Sequence, residues 1–228
     1  MNVEVLADGD AVAKLAAAFI AKDARDAVAE RGRFVMAVSG GRTPWQMLRD
    51  LADLPLPWDR IHVFQVDERI ASAGDPERNL THIRESLLSL APLPPENMHP
   101  MPVEEPDLCS AAVSYARELQ QVAGTPPRLD LVHLGIGPDG HTASLVPDDP
   151  ALDVTDQDVA LTDAYQKRRR MTLTYPVLDR ARRILWVVTG AEKAAMVKRL
   201  IASDRSIPAG RVRADNALII ADKPAAGA

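Results

Sequence analysis

The sequence predicts an α/β fold in which helices cover both faces of a mostly parallel sheet. Two observations predict this fold class. Short, nearly continuous apolar runs, typical of strands buried on both faces, recur along the 228 residues. Helical patterns separate most of these runs, as they do where crossover helices join parallel strands. The length and the 46% hydrophobic content favour one domain over residues 1–228, with room for a small lid subdomain.

The first two elements are a strand and a long helix. Residues 2–7 (NVEVLA) predict the strand, and residues 10–32 predict an amphipathic helix. The predicted apolar face of this helix contains Val12, Leu15, Ala16, Phe19 and Ile20. Because these residues recur at helical spacing, we expect the helix to pack on the sheet through them.

Four further apolar runs predict the buried strands. They are residues 33–38 (RFVMAV), 61–66 (IHVFQV), 129–136 (LDLVHLGI) and 183–188 (RILWVV). Of the segments between them, the proline-rich residues 90–106 predict a loop or surface excursion. Residues 148–168 show no clear pattern and receive no element.

Composition limits the class of protein. A net charge of −5 and a pI near 5.6 argue against nucleic-acid and membrane partners, which usually meet a basic face. The single cysteine, Cys109, excludes an internal disulfide framework, and we expect an ordinary buried thiol there. No leader pattern and no bilayer-spanning apolar run is present, so we expect a cytoplasmic protein. The sequence leaves the oligomeric state open, and a monomer is compatible with it.

Polar chemistry is concentrated in the loops that follow the four buried strands. These loops read SGGRTP, DERI, GPDGHT and TGAEK. In an open parallel sheet, ligands bind outside the carboxyl ends of the strands. We therefore expect the four loops to converge on one crevice.

The loop SGGRTP, residues 39–44, predicts an anion cradle. Gly40 and Gly41 allow positive φ and a close backbone approach, Thr43 can cap the following helix, and Pro44 fits its first turn. Free N–H groups at such a helix start favour phosphate. The alternative is a plain glycine turn that enters a helix. The loop is neither a Walker loop, since no Gly-Lys-Ser/Thr follows, nor a nucleophile elbow.

Two further side chains are candidates for chemistry. Lys193 falls in the first turn of a predicted helix, where a cation opposes the helix dipole unless an anion lies nearby, although a surface lysine also fits. His141 follows a tight turn at the ligand edge, where an imidazole can act as general base. Asp139 is expected to be a turn former, and His133, within its strand, a structural residue.

The ordered set SGGRTP, VDER, GIGPDGHTASLVP, RMTLT and GAEK resembles the 6-phosphogluconolactonase family over nearly the whole chain. The resemblance implies a Rossmann-like sheet shared with glucosamine-6-phosphate deaminase and ribose-5-phosphate isomerase. It also implies a hydrolase of the pentose phosphate pathway that needs neither metal nor cofactor, with the sugar phosphate 6-phospho-glucono-1,5-lactone as substrate. In this family's loop after DER a His-x-x-Ser-Asn run is frequent, whereas this chain has Asp75 and Arg78 at the corresponding places.

The resemblance also implies roles for individual residues. It makes His141 the base that activates water and places Asp67 and Arg69 beside the sugar. It assigns to substrate or phosphate binding Ser39, Gly40, Gly41, Thr43, Arg170 and Lys193. Which arginine faces the phosphate stays open.

Two other functions remain to be compared with this one. A deaminase or isomerase of the same fold is expected to follow its histidine with an acid for ring opening, whereas residues 141–147 read HTASLVP. A non-enzymatic sugar-phosphate-binding domain of a transcription regulator needs a helix-turn-helix segment and a basic face. The chain has neither the room nor the charge for these.

Overall fold

A computed structural model describes residues 1–227, and a seven-stranded sheet lies at their centre. Every neighbouring pair in this sheet is parallel. The strands lie side by side in the order β1 (Asn2–Leu6), β10 (Ala217–Asp222), β9 (Arg183–Val188), β6 (Leu131–Leu134), β2 (Phe34–Val38), β3 (Ile61–Gln65) and β5 (Met98–His99). Because all the strands point the same way, their carboxyl ends form one edge of the sheet.

A second, three-stranded antiparallel sheet lies beside this edge. It contains, in order, β4 (Asp67–Arg69), β8 (Arg170–Leu173) and β7 (Val159–Leu161). Val66 joins the two sheets, since its N–H donates to Val38 O (2.9 Å) and its carbonyl accepts from Leu173 N (2.8 Å). The chain therefore passes directly from β3 into the small sheet.

Helices cover both faces of the large sheet, which confirms the predicted α/β class. The helices are α1 (Gly9–Arg31), α2 (Arg42–Ala52), α3 (Asn79–Ile83), α4 (Leu108–Ala123), α5 (Tyr175–Arg180), α6 (Ala194–Ile201), α7 (Pro208–Arg211) and α8 (Lys223–Ala226). Strand β2 shows the two faces: Phe34 and Met36 pack in the core that contains α1 and α2, and Val35 and Ala37 pack in the core that contains α4. Alternate side chains of a strand point to opposite faces, so a fully apolar run is needed here.

Helix α1 forms where predicted but packs through a different stripe. Asp8 caps it by accepting from Ala11 N (2.9 Å), and it ends at Gly32, which has a φ of 75°. Leu15 is exposed and Phe19 is half-buried, so the predicted apolar face was wrong at these positions. The buried face is Val12, Ala13, Ala16, Ala17, Ile20, Ala21, Ala24 and Ala27. Small alanines let the helix lie close to the sheet, and this selects them over the larger side chains.

Four other predictions need correction. The proline-rich residues 90–106 were predicted as a loop but contain β5. This strand has only two residues and lies at the edge of the sheet. Residues 148–168 contain β7, and β10 was not predicted at all. Cys109 is exposed at the start of α4 rather than buried. Among residues 1–227, no helix has both the length and the apolar character that a membrane crossing demands.

Candidate active site

The carboxyl ends of the strands surround a cavity of about 440 Å³. Loops after β2, β6 and β9 contribute to it, and β4 and β8 of the small sheet close one side. All nine predicted site residues line this cavity: Ser39, Gly40, Gly41, Thr43, Asp67, Arg69, His141, Arg170 and Lys193. The four loops that are distant in sequence therefore meet at one place, as the parallel topology requires.

The loop after β2 presents the start of α2 to the cavity. Helix α2 begins at Arg42 with Gly41 as its N-cap, and no side chain caps it. The N–H groups of Arg42 and Thr43 are therefore free of intrahelical partners, and Pro44 has none to leave unpaired. Gly41 has a φ of 129°, which requires glycine. An eleven-residue helix that opens in this way attracts an anion.

Two details of this loop differ from the prediction. Thr43 does not cap α2; it lies inside the first turn, and its hydroxyl is 2.6 Å from the Thr189 hydroxyl, which ties this loop to the one after β9. Gly40 does not have positive φ. It is needed instead because a Cβ there would lie 1.9 Å from Asn79 Oδ1. Asn79, which lines the cavity and donates to Asp67 O (2.9 Å), was missed because it sits in an unpatterned polar run.

Strand β4 alternates between the cavity and the interior. Asp67 and Arg69 line the cavity, whereas Glu68 between them is fully buried away from solvent. Glu68 accepts from the backbone N–H groups of Asn79 and Leu80 (2.8 Å each) and forms an ion pair with Arg78. Glu68 therefore fixes the loop that leads from β4 to α3.

Asp75 and Arg78, the two residues of this loop that depart from the family pattern, form ion pairs within the protein. Arg78 is buried between Glu68 and Glu104, and Asp75 pairs at 3.0 Å with Arg168, which lies in the turn before β8. Neither side chain lines the cavity. The loop therefore shapes the site through Arg69 and Asn79, and the departing residues hold it in place.

His141 is held by the turn that precedes it. Its Nδ1–H donates to Asp139 Oδ1 at 2.6 Å, and its backbone N–H donates to the same oxygen at 3.2 Å. Gly137 leaves the space for the ring, since a Cβ at this position would lie 2.0 Å from Nδ1. Because the proton on Nδ1 is held by the carboxylate, the lone pair on Nε2 is left free.

Asp139 does more than form a turn, which corrects the sequence interpretation. Its second oxygen, Oδ2, accepts from the Tyr165 hydroxyl at 3.0 Å. Burial alone would raise the pKa of Asp139, but the charge and hydrogen bonds of His141, together with the Tyr165 hydroxyl, lower the pKa overall. Burial and the nearby Asp139 carboxylate raise the pKa of Tyr165, which keeps the phenol protonated at neutral pH. The pair is therefore an ionised acceptor and a neutral donor.

Arg170 is the most buried cation of the cavity, with 4% of its surface exposed. Its guanidinium carbon lies 5.1 Å from the centre of the Tyr165 ring, and its Nη2 donates to Gln166 Oε1 at 3.3 Å. Its Nε has no partner among the described residues. Burial lowers the pKa of Arg170, yet a guanidinium stays charged at any physiological pH. An unpaired buried donor on a cation at the cavity wall suits an anionic ligand.

The loop after β9 brings Lys193 to the cavity. A 3₁₀ turn, Ala191–Lys193, precedes α6, so Lys193 occupies the N-cap position of that helix. The Gly190 N–H donates to both carboxylate oxygens of Asp222, at 3.1 Å each, and this fixes the loop. A cation at a helix start is unfavourable unless an anion is bound nearby.

Charge in the cavity is opposite in sign to that of the whole chain. The cationic side chains that line it are Arg42, Arg69, Arg170 and Lys193, and the carboxylates are Asp67 and Glu192. A concave surface with a surplus of cations concentrates anionic substrates. The negative net charge of the protein is therefore no obstacle to a phosphorylated ligand.

His133 lies beneath this site, in contact with Ser39 of the cavity wall. His133 is fully buried in β6, as its place within the strand predicted, and burial lowers its pKa to about 3. Its Nδ1 accepts from Ser39 N at 3.2 Å, and its carbonyl accepts from the Ser39 hydroxyl at the same distance. His133 is therefore a neutral side chain that holds the start of the glycine loop.

The fold and the site together define a class of protein: an enzyme of the parallel α/β type whose site suits a phosphorylated ligand. The family follows from comparison. Residues 7–220 match the family described as glucosamine-6-phosphate isomerases/6-phosphogluconolactonase, and the chain belongs to this family.

Relatives and solved structures agree with this assignment. The 6-phosphogluconolactonase of Synechocystis sp. is 37% identical over 207 residues, which cover 89% of this chain and 86% of that protein. The 6-phosphogluconolactonase of Nostoc sp. is 35% identical over 234 residues, covering 100% and 97%. The crystal structure of 6-phosphogluconolactonase from Thermotoga maritima superimposes with a TM-score of 0.86 at 29% identity, covering 97% of this chain and 98% of that one.

Proposed function

We propose that this chain hydrolyses 6-phospho-D-glucono-1,5-lactone to 6-phospho-D-gluconate in the pentose phosphate pathway, with His141 as the general base. The observation that carries the mechanism is the 2.6 Å hydrogen bond from His141 Nδ1 to Asp139, made at the wall of a cation-rich cavity. Lactonase relatives that match nearly the whole chain support the substrate.

The chemistry is ester hydrolysis by water. His141 Nε2 takes a proton from a water molecule as the water oxygen attacks C1 of the lactone. A cation, Arg69 or Arg170, stabilises the oxyanion that forms on the carbonyl oxygen. The C1–O5 bond then breaks, and the imidazolium returns the proton to O5, which leaves as the 5-hydroxyl group. The carbonyl re-forms as the oxyanion collapses, the product carboxylic acid loses its proton to solvent, and the neutral imidazole of His141 is restored.

The phosphate binds at the start of α2, beside Lys193. The uncapped start of α2 offers backbone N–H groups, and Lys193 offers a charge that needs an anion beside it. Thr43 and Ser39 complete the polar wall. Since both sheets line this one cavity, residues 1–228 act as a single lactonase domain. The proposed steps use neither a metal nor a cofactor.

A deaminase or isomerase reaction is disfavoured at one position. The residues directly after His141 that line or support the cavity are Ala143 and Ser144, and the Ser144 hydroxyl donates to Asp67 Oδ2 at 2.6 Å. No acid for ring opening stands there. The structure of a monomeric glucosamine-6-phosphate deaminase superimposes with a TM-score of 0.85, but at 18% identity it shows the fold alone.

The test is an assay of acid release from freshly generated lactone, measured above the spontaneous hydrolysis and repeated in EDTA. The wild-type protein is expected to accelerate hydrolysis equally with and without the chelator. His141→Asn is expected to keep its Tm and KM and to lower kcat by about 10²- to 10⁴-fold, the usual effect of a positioned base. A folded variant with wild-type kcat would move the base to Asp67 or Asp139.

A further inference from the structure

Tyr165 contacts three groups of the site: the Asp139 carboxylate, the His141 imidazole and the Arg170 guanidinium. Its hydroxyl donates to Asp139 Oδ2 at 3.0 Å. Its ring packs edge-on against the His141 ring, with centroids 5.4 Å apart and planes at 66°. The same ring lies beneath the Arg170 guanidinium, 5.1 Å away. Three groups of the proposed reaction therefore share one neighbour.

The local backbone fixes this tyrosine. Tyr165 and Arg168 bond to each other through both backbone groups, at 3.0 and 3.2 Å, and close a two-residue turn. Gln166 and Lys167 at its tip have φ values of 50° and 70°. Positive φ at both central positions is the geometry of a tight hairpin turn, here made without glycine. Non-glycine residues adopt it at a cost, which persists only where surrounding contacts determine the conformation.

We infer that Tyr165 is a positioning residue for the general base: its hydroxyl holds Asp139 so that His141 keeps its proton on Nδ1 and turns Nε2 towards the water. This inference rests on the proposed lactonase reaction. Asp139 has two oxygens, and without the tyrosine only Oδ1 would be restrained. The carboxylate could then rotate, and the imidazole would rotate with it. Second-layer partners of this kind orient a reacting histidine in many sites.

The hydroxyl also influences the charge that Asp139 presents to His141. A donor to Asp139 Oδ2 withdraws charge from the carboxylate, so its removal leaves more negative charge facing the imidazole. The added negative charge then favours the imidazolium form. The other ionisable groups that share the cavity with His141 are Asp67, Arg69, Arg170, Glu192, Lys193 and Arg42. None of these groups is altered in a Tyr165→Phe variant, so a shift of the acid limb of kcat in that variant reports on the hydroxyl.

The first experiment compares Tyr165→Phe with the wild type. The phenylalanine ring keeps the contacts to His141 and Arg170 and removes the bond to Asp139. We expect kcat to fall about 10-fold at an unchanged KM, and the acid limb of the kcat profile to move up by about half a pH unit. Tyr175→Phe is the matched control, because the Tyr175 hydroxyl donates to Pro208 O (2.9 Å) and does not line the cavity. It is expected to leave kcat and the pH limb unchanged.

A double-mutant cycle separates positioning from general damage. In an Asp139→Asn background, Tyr165→Phe has no carboxylate to hold, so its further effect on kcat is expected to be less than about twofold. Additive losses in the two variants would overturn the inference, as would a folded Tyr165→Phe variant with wild-type kcat and pH limb.

NMR titration of the His141 imidazole gives a readout that does not need activity. The His141 resonance is assigned by its absence in His141→Asn, and its pKa is compared in the wild type and Tyr165→Phe. A higher measured pKa in Tyr165→Phe supports the positioning role even if the wild-type protein does not hydrolyse the lactone. Failure to hydrolyse the lactone would overturn the proposed function but not this role. An unchanged His141 pKa would overturn the role of Tyr165 whatever the activity.

Discussion

Gly137→Ala tests the position of the base by adding one methyl group beneath it. An alanine Cβ at Gly137 would lie 2.0 Å from His141 Nδ1, 2.2 Å from Cε1 and 2.7 Å from Asp139 Oδ1. Ordinary contacts begin at 3.4 Å, so the ring has to move by about 1.4 Å, the difference between 3.4 and 2.0 Å. The backbone itself accepts alanine, because Gly137 does not have positive φ.

The expected effect is on kcat rather than on KM. A misplacement of about 1 Å costs on the order of 10²-fold in rate, so kcat should fall at least about 100-fold. The Gly137 methyl group meets His141 and Asp139 and none of the residues proposed to bind phosphate, so KM should stay within about threefold. The assay is acid release above the spontaneous background, with the Tm of each variant measured alongside.

Gly135→Ala is the control for this change. Gly135 lies two residues away in the same loop, and a Cβ there meets nothing within 4 Å. Gly135 also lines the cavity, but its methyl group leaves His141 in place, so kcat should fall far less than in Gly137→Ala. If a folded Gly137→Ala protein retains the wild-type kcat, His141 does not act from the position described, and the assignment of the base is refuted.

Two other predictions concern the cradle and the core. Gly41→Val forces a branched side chain into a φ of 129° at the N-cap of α2, so it should raise KM for the phosphorylated lactone far more than it lowers kcat; an unchanged KM would place the phosphate elsewhere. His133 should make stability depend on pH. Its folded pKa of about 3 lies below the unfolded value of about 6.5, so the unfolded state binds a proton that the folded state rejects between these values. The free energy of unfolding should therefore fall by up to about 1.4 kcal/mol per unit as pH drops below about 6.5. Urea denaturation at several pH values measures the free energy of unfolding against pH. The contribution of His133 to this slope should be absent in His133→Asn, whose amide oxygen can still accept from Ser39 N.

The strands around the cavity could be predicted because burial on both faces leaves a continuous apolar run. The polar residues that follow such runs must lie at one edge, and this predicts that Ser39, Asp67, His141 and Lys193 lie together, as they do around the cavity. Strand β10 also contains a continuous apolar run, ALII, but was not predicted as a strand. Strands β5 and β7, of two and three residues, are too short to show a period.

The second layer of the site could not be predicted. Tyr165 lies 26 residues from Asp139, and their contact depends on an antiparallel pairing that no local pattern specifies. Aspartate is common in turns, and Asp139 does form part of this turn. Its residue type therefore gave no indication of the hydrogen bond to His141. The start of α2 was misplaced by the choice of Thr43 as cap. A glycine N-cap leaves the N–H groups to a ligand, and such a cap has no side-chain signature.

The junction at Val66 fixes the length of the chain between the two sheets. Val66 bonds to β2 on one side and to β8 on the other, so the first residue of β4 has no freedom to slide. Side chains alternate from this point, with Asp67 and Arg69 facing the cavity and Glu68 facing inwards. One inserted or deleted residue here would exchange the two faces, burying Arg69 and turning Glu68 towards an anionic substrate. Sequence change at this junction is therefore restricted to substitutions, while loops elsewhere on the surface can accept added or lost residues.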